Sequence, residues 1–490
     1  MSRIKSILKK WIANLVNEIF WRKNRPVTKI NKVVILYFVA LESKKNQLWS
    51  DGFTSAIDFL KGDFYDFNWI NLAQEKPTKK ELESFDLVLV KSNWNWIPDM
   101  YCRKTLRGSR TPRGLLISGV NPAPTIRKQC FYQILWYETF WYKNQISMHP
   151  NTFHGFGIDT ETFTNQSQTK DYDFVTVGGF VPHKRHDLFM QLRGKKAAIG
   201  DMSFENSKEI INTLKKNKVD VFDFSSQADL NRLLNKSHTL CISAGIRGGG
   251  ERAVLEARSS GTNVKLLQKN SKLTELLTSP IWSSNYYAFQ LLKGIESISH
   301  SKINNGSNLI ESNRILSAGY LSYHRGDMKI LGDQYIEIGN YCSFGNNVKF
   351  ITSNHDYNFP SLQGTFYKIN FNQKHPGELP PYSSARTKGP IMVGHDVWIG
   401  DNVTILSGVS IGHGSIIGTG SIVTKNIANY SIVGGNPAMH IKGRYSEEII
   451  TLMLELKWWN WSPKKIKANQ NFFNANLNQL SIDEIKEILV

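Results

Sequence analysis

The sequence predicts a multidomain protein in which two α/β halves precede a triangular parallel β-helix and a C-terminal helical tail. Apolar strand-like runs alternate with helix-like stretches up to about residue 296, and a six-residue period of aliphatic residues follows residue 330. The 490 residues suffice for two to four domains. The predicted segments are a basic amphipathic helix (1–30), two α/β halves (31–165 and 166–296), a linker (297–315), the β-helix (316–445) and the tail (446–490).

Composition places the chain among ordinary globular proteins and excludes several classes. Hydrophobic residues make up 41% and charged residues 21%, which excludes a mainly disordered chain. No apolar run approaches the roughly 18 residues of a membrane span, and the N-terminus lacks the apolar core of a signal peptide. Cysteines are far apart, which suits a reducing cytoplasm and argues against a disulfide scaffold or a zinc site. The net charge of +19 attracts polyanions.

The first element is a predicted basic helix. Residues 1–30 hold eight Lys or Arg and one Glu, and apolar residues from Ile4 to Phe20 recur with i, i+3, i+4 spacing. Pro26 ends the element. Such a helix is typical of an interfacial membrane helix, so residues 3–25 are predicted to bind an anionic membrane surface. The alternative is a stripe that packs on the next domain; nucleic acid is disfavoured, because no recognised binding module follows.

The α/β region begins with continuous apolar runs, which are typical of buried parallel strands. In the first half the runs are 32–39, 85–90 and 114–120; in the second they are 173–180, 195–200, 219–224 and 238–245. Two such series predict two Rossmann-like halves. The polar stretch 297–314, rich in Ser and Asn, predicts a linker.

The β-helix prediction depends on a period of six. Aliphatic residues recur in register, with an upstream set in the same frame: Val393, Ile399, Ile405, Ile411, Ile417 and Val423, then Ile338, Phe344 and Phe350. A period of six fits neither a helix nor a flat strand. It is typical of a triangular solenoid, in which each side buries one aliphatic residue and each corner turns.

Residues 316–462 resemble the hexapeptide-repeat acyltransferases, within the branch of xenobiotic, maltose and capsule-sugar O-acetyltransferases. The matching segments are IEIGNYCSFGNNVKFITSNHDY, VGHDVWIGDNVTILSGVSIGHGSIIGTGSIVTK and VGGNPAMHIKGRY. The resemblance implies a left-handed parallel β-helix, a homotrimer, and acetyl-CoA as co-substrate between neighbouring β-helices. No metal is predicted.

The repeat breaks at residues 353–392, and long loops that leave a regular scaffold are usually functional. Acyl transfer to a hydroxyl requires a base of near-neutral pKa, for which His is suited. His355 lies where the family has its catalytic His, with Asp356 or Asn354 as candidates to orient the ring. Trp398 is either a wall of the active site or a packing residue at a coil corner. By the same resemblance, the acetyl-CoA contacts are Asp401, Thr419, Thr424, Lys425 and Arg444.

Residues 31–295 resemble, more loosely, the retaining family-4 GT-B glycosyltransferases. The matching patches are HGFGIDTETF (154–163), VTVGGFVPHKRHDLF (175–189) and GGGERAVLEARSSGTNV (248–264). Glycines allow backbone N–H groups to approach a phosphate at a helix N-terminus, and basic side chains stabilise a leaving diphosphate. The predicted nucleotide-sugar site comprises Lys184, Arg185, Gly249, Gly250, Glu251 and Glu256, the last for the ribose hydroxyls. Gly248 and Gly179 depart from the family, which has an acidic residue and an Arg there.

Together these features predict a bifunctional bacterial enzyme of surface-polysaccharide assembly, for capsule or O-antigen. One module would transfer a sugar from a nucleotide sugar, and the other would O-acetylate a sugar hydroxyl of a glycan or lipid-linked glycan. The basic helix would hold the protein on the cytoplasmic face of the inner membrane. One alternative is an O-acetyltransferase whose GT-B part is an inactive glycan-binding module; another is a structural oligomer.

Overall fold

The computed structural model divides the chain into two compact units. The α/β unit is residues 1–277 with 281–303, and the β-helix unit is 278–280 with 304–490. The structure describes residues 30–39, 52–61, 64–92, 96–118, 125–202, 207–224, 226–246, 248–298, 308–310, 312–313 and 315–490. The predicted N-terminal helix therefore lies outside the described residues.

A six-stranded sheet forms the first half of the α/β unit, with all neighbouring strands parallel and in the order β2-β1-β3-β4-β5-β6. Its strands are β1 Lys32–Tyr37, β2 Asp66–Asn71, β3 Leu87–Ser92, β4 Arg113–Ile117, β5 Ile134–Tyr137 and β6 Thr152–His154. The helices between them are α1 Gly52–Leu60, α2 Lys79–Leu82, α3 Ile97–Thr105, α4 Ile126–Gln129 and α5 Phe140–Gln145.

The second half has a five-stranded parallel sheet in the order β11-β10-β7-β8-β9. Its strands are β7 Tyr172–Val177, β8 Lys196–Gly200, β9 Val219–Asp223, β10 Ser237–Ile242 and β11 Asn263–Leu266. Its helices are α6 His186–Met190, α7 Ser207–Lys216, α8 Gln227–Asn235, α9 Glu251–Ser259, α10 Ser271–Thr274 and α11 Ser284–Glu296. Strand order reverses between β7 and β10, which creates a crevice at their carboxyl ends.

Helix α11 follows the second half in the chain and packs on the first half of the α/β unit. The Trp136 indole on β5 donates a hydrogen bond of 2.9 Å to the carbonyl of Gln290, and the rings of Phe53 and Tyr287 lie 5.6 Å apart. Ser283 caps the helix by accepting from the backbone N–H of Tyr286. The predicted parallel α/β content is thus confirmed, whereas the GT-B architecture stays a prediction.

Three parallel sheets form the faces of the β-helix, and each coil of the chain visits face A, then B, then C. Face A is β13 Leu316–Ala318, β16 Ile336–Ile338, β19 Ile391–Val393 and β22 Ser410–Ile411. Face B is β12 Asn308–Leu309, β14 Tyr323–His324, β17 Ser343–Phe344, β20 Trp398–Ile399, β23 Ile416–Ile417, β25 Ser431–Gly434 and β26 Met439–Gly443, the first and last antiparallel. Face C is β15 Met328–Leu331, β18 Val348–Ile351, β21 Thr404–Leu406 and β24 Ile422–Val423. All nine aliphatic and aromatic residues of the six-residue period are buried inside, which confirms the predicted repeat.

A line of hydrogen bonds follows the corner between faces A and B; we call it the corner ladder. Side chains of one coil accept the backbone N–H groups of the preceding coil. The bonds run from Tyr320 N to Asn340 Oδ1, Asn340 N to His395 Nδ1, His395 N to His413 Nδ1 and His413 N to Asn429 Oδ1, at 2.8, 2.8, 3.0 and 2.7 Å. The ladder satisfies N–H groups that the turn removes from strand pairing.

The helical tail packs on this corner. Its helices are α13 Glu447–Leu456, α14 Pro463–Ala468, α15 Gln470–Asn474 and α16 Ile482–Glu487. The Trp459 ring stacks on the rings of His413 and His395, with centroids 4.7 and 5.2 Å apart. None of the helices in the described part of the chain has the length and apolarity needed to cross a bilayer.

Candidate active site

The long loop between β18 and β19 leaves the corner between faces C and A. Its two ends are held together by hydrogen bonds between residues 352–356 and 383–387, which we call the clasp. Thr387 Oγ1 donates to the Thr352 carbonyl at 2.8 Å. Asn354 N donates to the Arg386 carbonyl at 2.7 Å, and Arg386 Nη1 donates to the Asn354 carbonyl at 2.9 Å. The loop therefore begins and ends at one fixed place.

Asp356 forms the inner end of the clasp. Its buried carboxylate accepts from Ser383 Oγ at 2.5 Å, and from the backbone N–H and side-chain amide of Asn358 at 3.0 and 2.8 Å. These hydrogen bonds lower the pKa of Asp356, and the bond from Ser383 has the largest effect. A Cβ at Gly377 would lie 2.5 Å from the Asp356 Cβ, so only glycine fits there.

The predicted base, His355, lies between these contacts with its side chain exposed to solvent. Among the described residues its imidazole makes no hydrogen bond, so neither Asp356 nor Asn354 orients the ring as expected. The clasp instead holds both neighbours of His355, Asn354 through its backbone and Asp356 through its carboxylate. No sequence pattern indicates Ser383 and Arg386, because their partners lie about thirty residues away in the chain.

The five predicted acetyl-CoA residues lie on three different corners of one chain. Asp401 and Thr419 lie on the corner between faces B and C, where Asp401 accepts from Asn346 N at 2.7 Å. Thr424 and Lys425 lie on the corner between C and A, from which the loop departs. These four residues thus border face C.

Arg444, the fifth, lies at the corner between faces A and B. Its Nη1 donates to Asp396 Oδ2 and to the Gly414 carbonyl, both at 3.0 Å, and its guanidinium lies 5.1 Å from the ring of Tyr445. Burial raises the pKa of Asp396. Within a single chain, Arg444 therefore links the end of β26 to a coil corner.

Trp398 points outward from face B, with 56% of its surface exposed, between Ser343 and Ile416 of the neighbouring coils. The loop departs from the corner between faces C and A, which is opposite face B. His355 is close to that corner, because it is only three residues beyond Thr352, where the loop begins. Trp398 and His355 of one chain therefore do not lie on the same side of the β-helix.

In the α/β unit, the structure brings two predicted loops together at the carboxyl ends of β7 and β10. Lys184 Nζ donates to the carbonyl of Gly248 at 2.5 Å. Gly249 and Gly250 have φ of 68° and 117°, values that favour glycine, and they lead directly into helix α9. Backbone N–H groups at the start of such a helix can bind an anion in the crevice.

The acidic residues and the second cation of this predicted site are engaged within the protein. Glu256 is buried and pairs with Arg252 at 2.8 Å, and Glu251 is buried against Lys272. Arg185 forms a two-pronged pair with exposed Asp187, at 2.8 Å for each contact. The sequence motif did not reveal these pairings.

Close packing accounts for the glycine at position 248, where the predicted resemblance has an acidic residue. A Cβ there would lie 2.2 Å from the Cβ of Ala244, so no side chain fits without moving the loop. The loop that forms the crevice thus requires the glycine that the sequence has. No group of three or more potential metal ligands occurs in the part of the chain that the structure describes.

Comparison with known proteins bears on the β-helix unit. Residues 390–425 match the family model of the bacterial transferase hexapeptide (six repeats). A chloramphenicol acetyltransferase of Klebsiella aerogenes is 42% identical over 158 residues, which are 31% of this chain and 69% of the relative. A probable macrolide acetyltransferase of Lysinibacillus sphaericus is 42% identical over 142 residues, 29% of this chain and 77% of the relative.

A solved hexapeptide-repeat-containing acetyltransferase of Vibrio cholerae is 27% identical, with a TM-score of 0.22; the match covers 27% of this chain and 65% of that chain, just under two thirds of its length. The repeat and its long loop define the β-helix unit as a hexapeptide-repeat transferase. More narrowly, the chain belongs to the hexapeptide-repeat acetyltransferases.

Proposed function

We propose that the β-helix unit transfers an acetyl group from acetyl-CoA to a hydroxyl group, with His355 as general base. The imidazole takes the hydroxyl proton while the oxygen attacks the thioester carbonyl. The tetrahedral intermediate then collapses, the C–S bond breaks, and the CoA sulfur leaves with the proton returned by the imidazolium. The observation that carries this proposal is an exposed histidine on a clasped loop in a chain of this family.

We propose that the active form is a homotrimer. In one chain four of the five predicted acetyl-CoA residues border face C and the fifth, Arg444, lies at the corner between faces A and B, so a neighbouring chain is needed to complete a groove. The loop also exposes a set of large apolar side chains, which favours burial against a second copy. They are Tyr357, Leu362, Phe366, Ile369, Phe371, Leu379 and Tyr382.

For the acceptor, we propose a sugar hydroxyl of a surface glycan or lipid-linked glycan. The support is the attached α/β unit, whose sequence resembles glycosyltransferases. The names of the relatives favour a second class of acceptor, a hydroxylated antibiotic such as chloramphenicol. A panel of both classes distinguishes them.

For the α/β unit, we propose that the crevice between β7 and β10 binds a nucleotide sugar. Lys184 and the start of α9 favour a diphosphate there. Sugar transfer would make the protein bifunctional. Two observations support the alternative of an inactive glycan-binding module: no acidic side chain fits at Gly248, and Arg185 is paired with Asp187. Release of nucleoside diphosphate from a panel of nucleotide sugars by His355→Ala protein decides between them.

The decisive experiment for acetyl transfer compares wild type, His355→Ala and the control His238→Ala, an exposed histidine in the α/β unit. Free CoA is measured with a thiol reagent for each acceptor. We expect His355→Ala to lower kcat by about 10²–10⁴-fold, the usual contribution of a general base. Equal rates in all three proteins would remove His355 from the mechanism.

A further inference from the structure

We propose that Ser383 and Arg386 are positioning residues for His355, holding its backbone from across the loop. This inference rests on the proposed acetyl transfer. It replaces the expected direct contact of Asp356 or Asn354 with the imidazole, which the structure lacks.

The argument begins with the contacts of Ser383. Its hydroxyl donates to Asp356 Oδ2 at 2.5 Å and accepts from the backbone N–H of Arg386 at 3.2 Å. One hydroxyl thus connects the residue after His355 to the opposite side of the clasp. Asp356 is only 3% exposed, so loss of the hydroxyl would leave a buried carboxylate oxygen without this partner.

Arg386 acts on the other side of His355. Its carbonyl accepts from Asn354 N and its guanidinium donates to the Asn354 carbonyl, so both backbone polar groups of Asn354 are held by one residue. Asn354 is therefore held through its backbone and Asp356 through its carboxylate, and His355 between them has little freedom to shift. An exposed ring that makes no hydrogen bond to the described residues depends on these two neighbours for its position.

The clasp also separates His355 from the outer part of the loop. Helix α12 Gly364–Phe371 and the exposed apolar side chains lie between the two sides of the clasp. The outer loop thus begins and ends at the clasp, and the clasp holds the segment that carries the base. Misplacing a catalytic group by about 1 Å can lower a rate by about 100-fold.

The test uses the full-length chain with Ser383→Ala, Ser383→Thr and the matched control Ser384→Ala, which alters the exposed serine next in sequence. We expect Ser383→Ala to lower kcat by roughly 10- to 100-fold with the KM for acetyl-CoA unchanged. Ser383→Thr keeps the hydroxyl and should restore kcat, and Ser384→Ala should match wild type. Arg386→Gln should also lower kcat.

A second measurement does not depend on activity. Hydrogen–deuterium exchange of the peptide containing residues 353–358 should become faster in Ser383→Ala and stay at the wild-type rate in Ser384→Ala. Wild-type kcat and wild-type exchange in Ser383→Ala would overturn the inference. So would a loss of kcat that Ser383→Thr fails to restore and that comes with a raised KM, since this indicates general disruption of the loop. Absence of His355-dependent acetyl transfer in wild type would instead refute the proposed function, while the exchange data would still decide whether the clasp holds this segment.

Discussion

His395 in the corner ladder should make the β-helix less stable in acid. Its Nδ1 accepts the Asn340 N–H, so this nitrogen must be unprotonated in the fold. Burial, and then the neighbouring His413, lower the pKa of His395 from 6.5 to about 3. The pKa of His413 is also lowered, by burial and by Lys457.

The sign follows from linkage. The unfolded chain binds a proton at His395 below about pH 6.5, whereas the folded chain does so only near pH 3, so stability is lost as pH falls through this window. Between about pH 7.5 and about pH 5, His395 alone should lower the free energy of unfolding by about 2 kcal/mol. Burial raises the pKa of Asp396, so this residue stabilises the fold as pH falls, but its contribution is the same in wild type and in a variant of His395.

The informative variant is His395→Asn, because the ladder already uses asparagine as acceptor at positions 340 and 429. It keeps an acceptor but does not titrate. Urea unfolding followed by hydrogen exchange of peptides from 390–434 gives the free energy at both pH values. We expect the variant to lose about 2 kcal/mol of the pH dependence. The control His238→Asn lies in the other unit and should leave the pH dependence of the 390–434 peptides unchanged. Identical pH dependence in wild type and His395→Asn would refute the assigned role.

Three further predictions concern other parts of the chain. Gly248→Ala should weaken binding of nucleotide sugars and destabilise the α/β unit by about 1–3 kcal/mol, because the new Cβ would overlap Ala244. The control Gly245→Ala should do neither, because a Cβ fits there, and calorimetry with a nucleotide-sugar panel checks both variants. Ile369→Asp should lower the mass seen by light scattering from trimer to monomer, and Gln373→Asp should not; an unchanged mass would exclude this surface from the interface. Deleting residues 1–25 should release the protein from anionic vesicles without unfolding it, and raised salt should weaken but not abolish binding of the full chain; a truncated protein that aggregates would indicate core packing instead.

The sequence predicted the elements that short-range pattern determines. The residues of the six-residue period must point inward for the coils to close, so Ile399 and Ile405 were correctly predicted to lie in the core. Four strands of the α/β unit were not predicted. The edge strands β2, with the sequence DFNWIN, and β11, with NVKL, mix polar and apolar residues because one side of an edge strand stays exposed. Strand β5 is apolar but only four residues long, and β6 has only three residues, so neither run is long enough to stand out in the sequence.

The site was less predictable, because its decisive contacts join residues far apart in the chain. The motif around Glu256 indicates a helix near a nucleotide, yet the carboxylate is buried beside Arg252. Likewise, the pattern around His355 indicates a base but not the residues that hold it. Only the three-dimensional structure brings Ser383 and Arg386 to that segment.

The clasp also bears on how such a protein can diversify. In the corner ladder, His395 and its acceptor His413 are 18 residues apart in the chain, whereas Asn340 and its acceptor His395 are 55 residues apart. The difference arises because the long loop is inserted in that coil. The clasp returns the chain to the corner it left, so the length of the insert does not affect the register of the coils. Natural variation or design can therefore replace the outer loop, and with it the surface offered to acceptors. The corner ladder and the buried residues of the six-residue period would stay in register between coils.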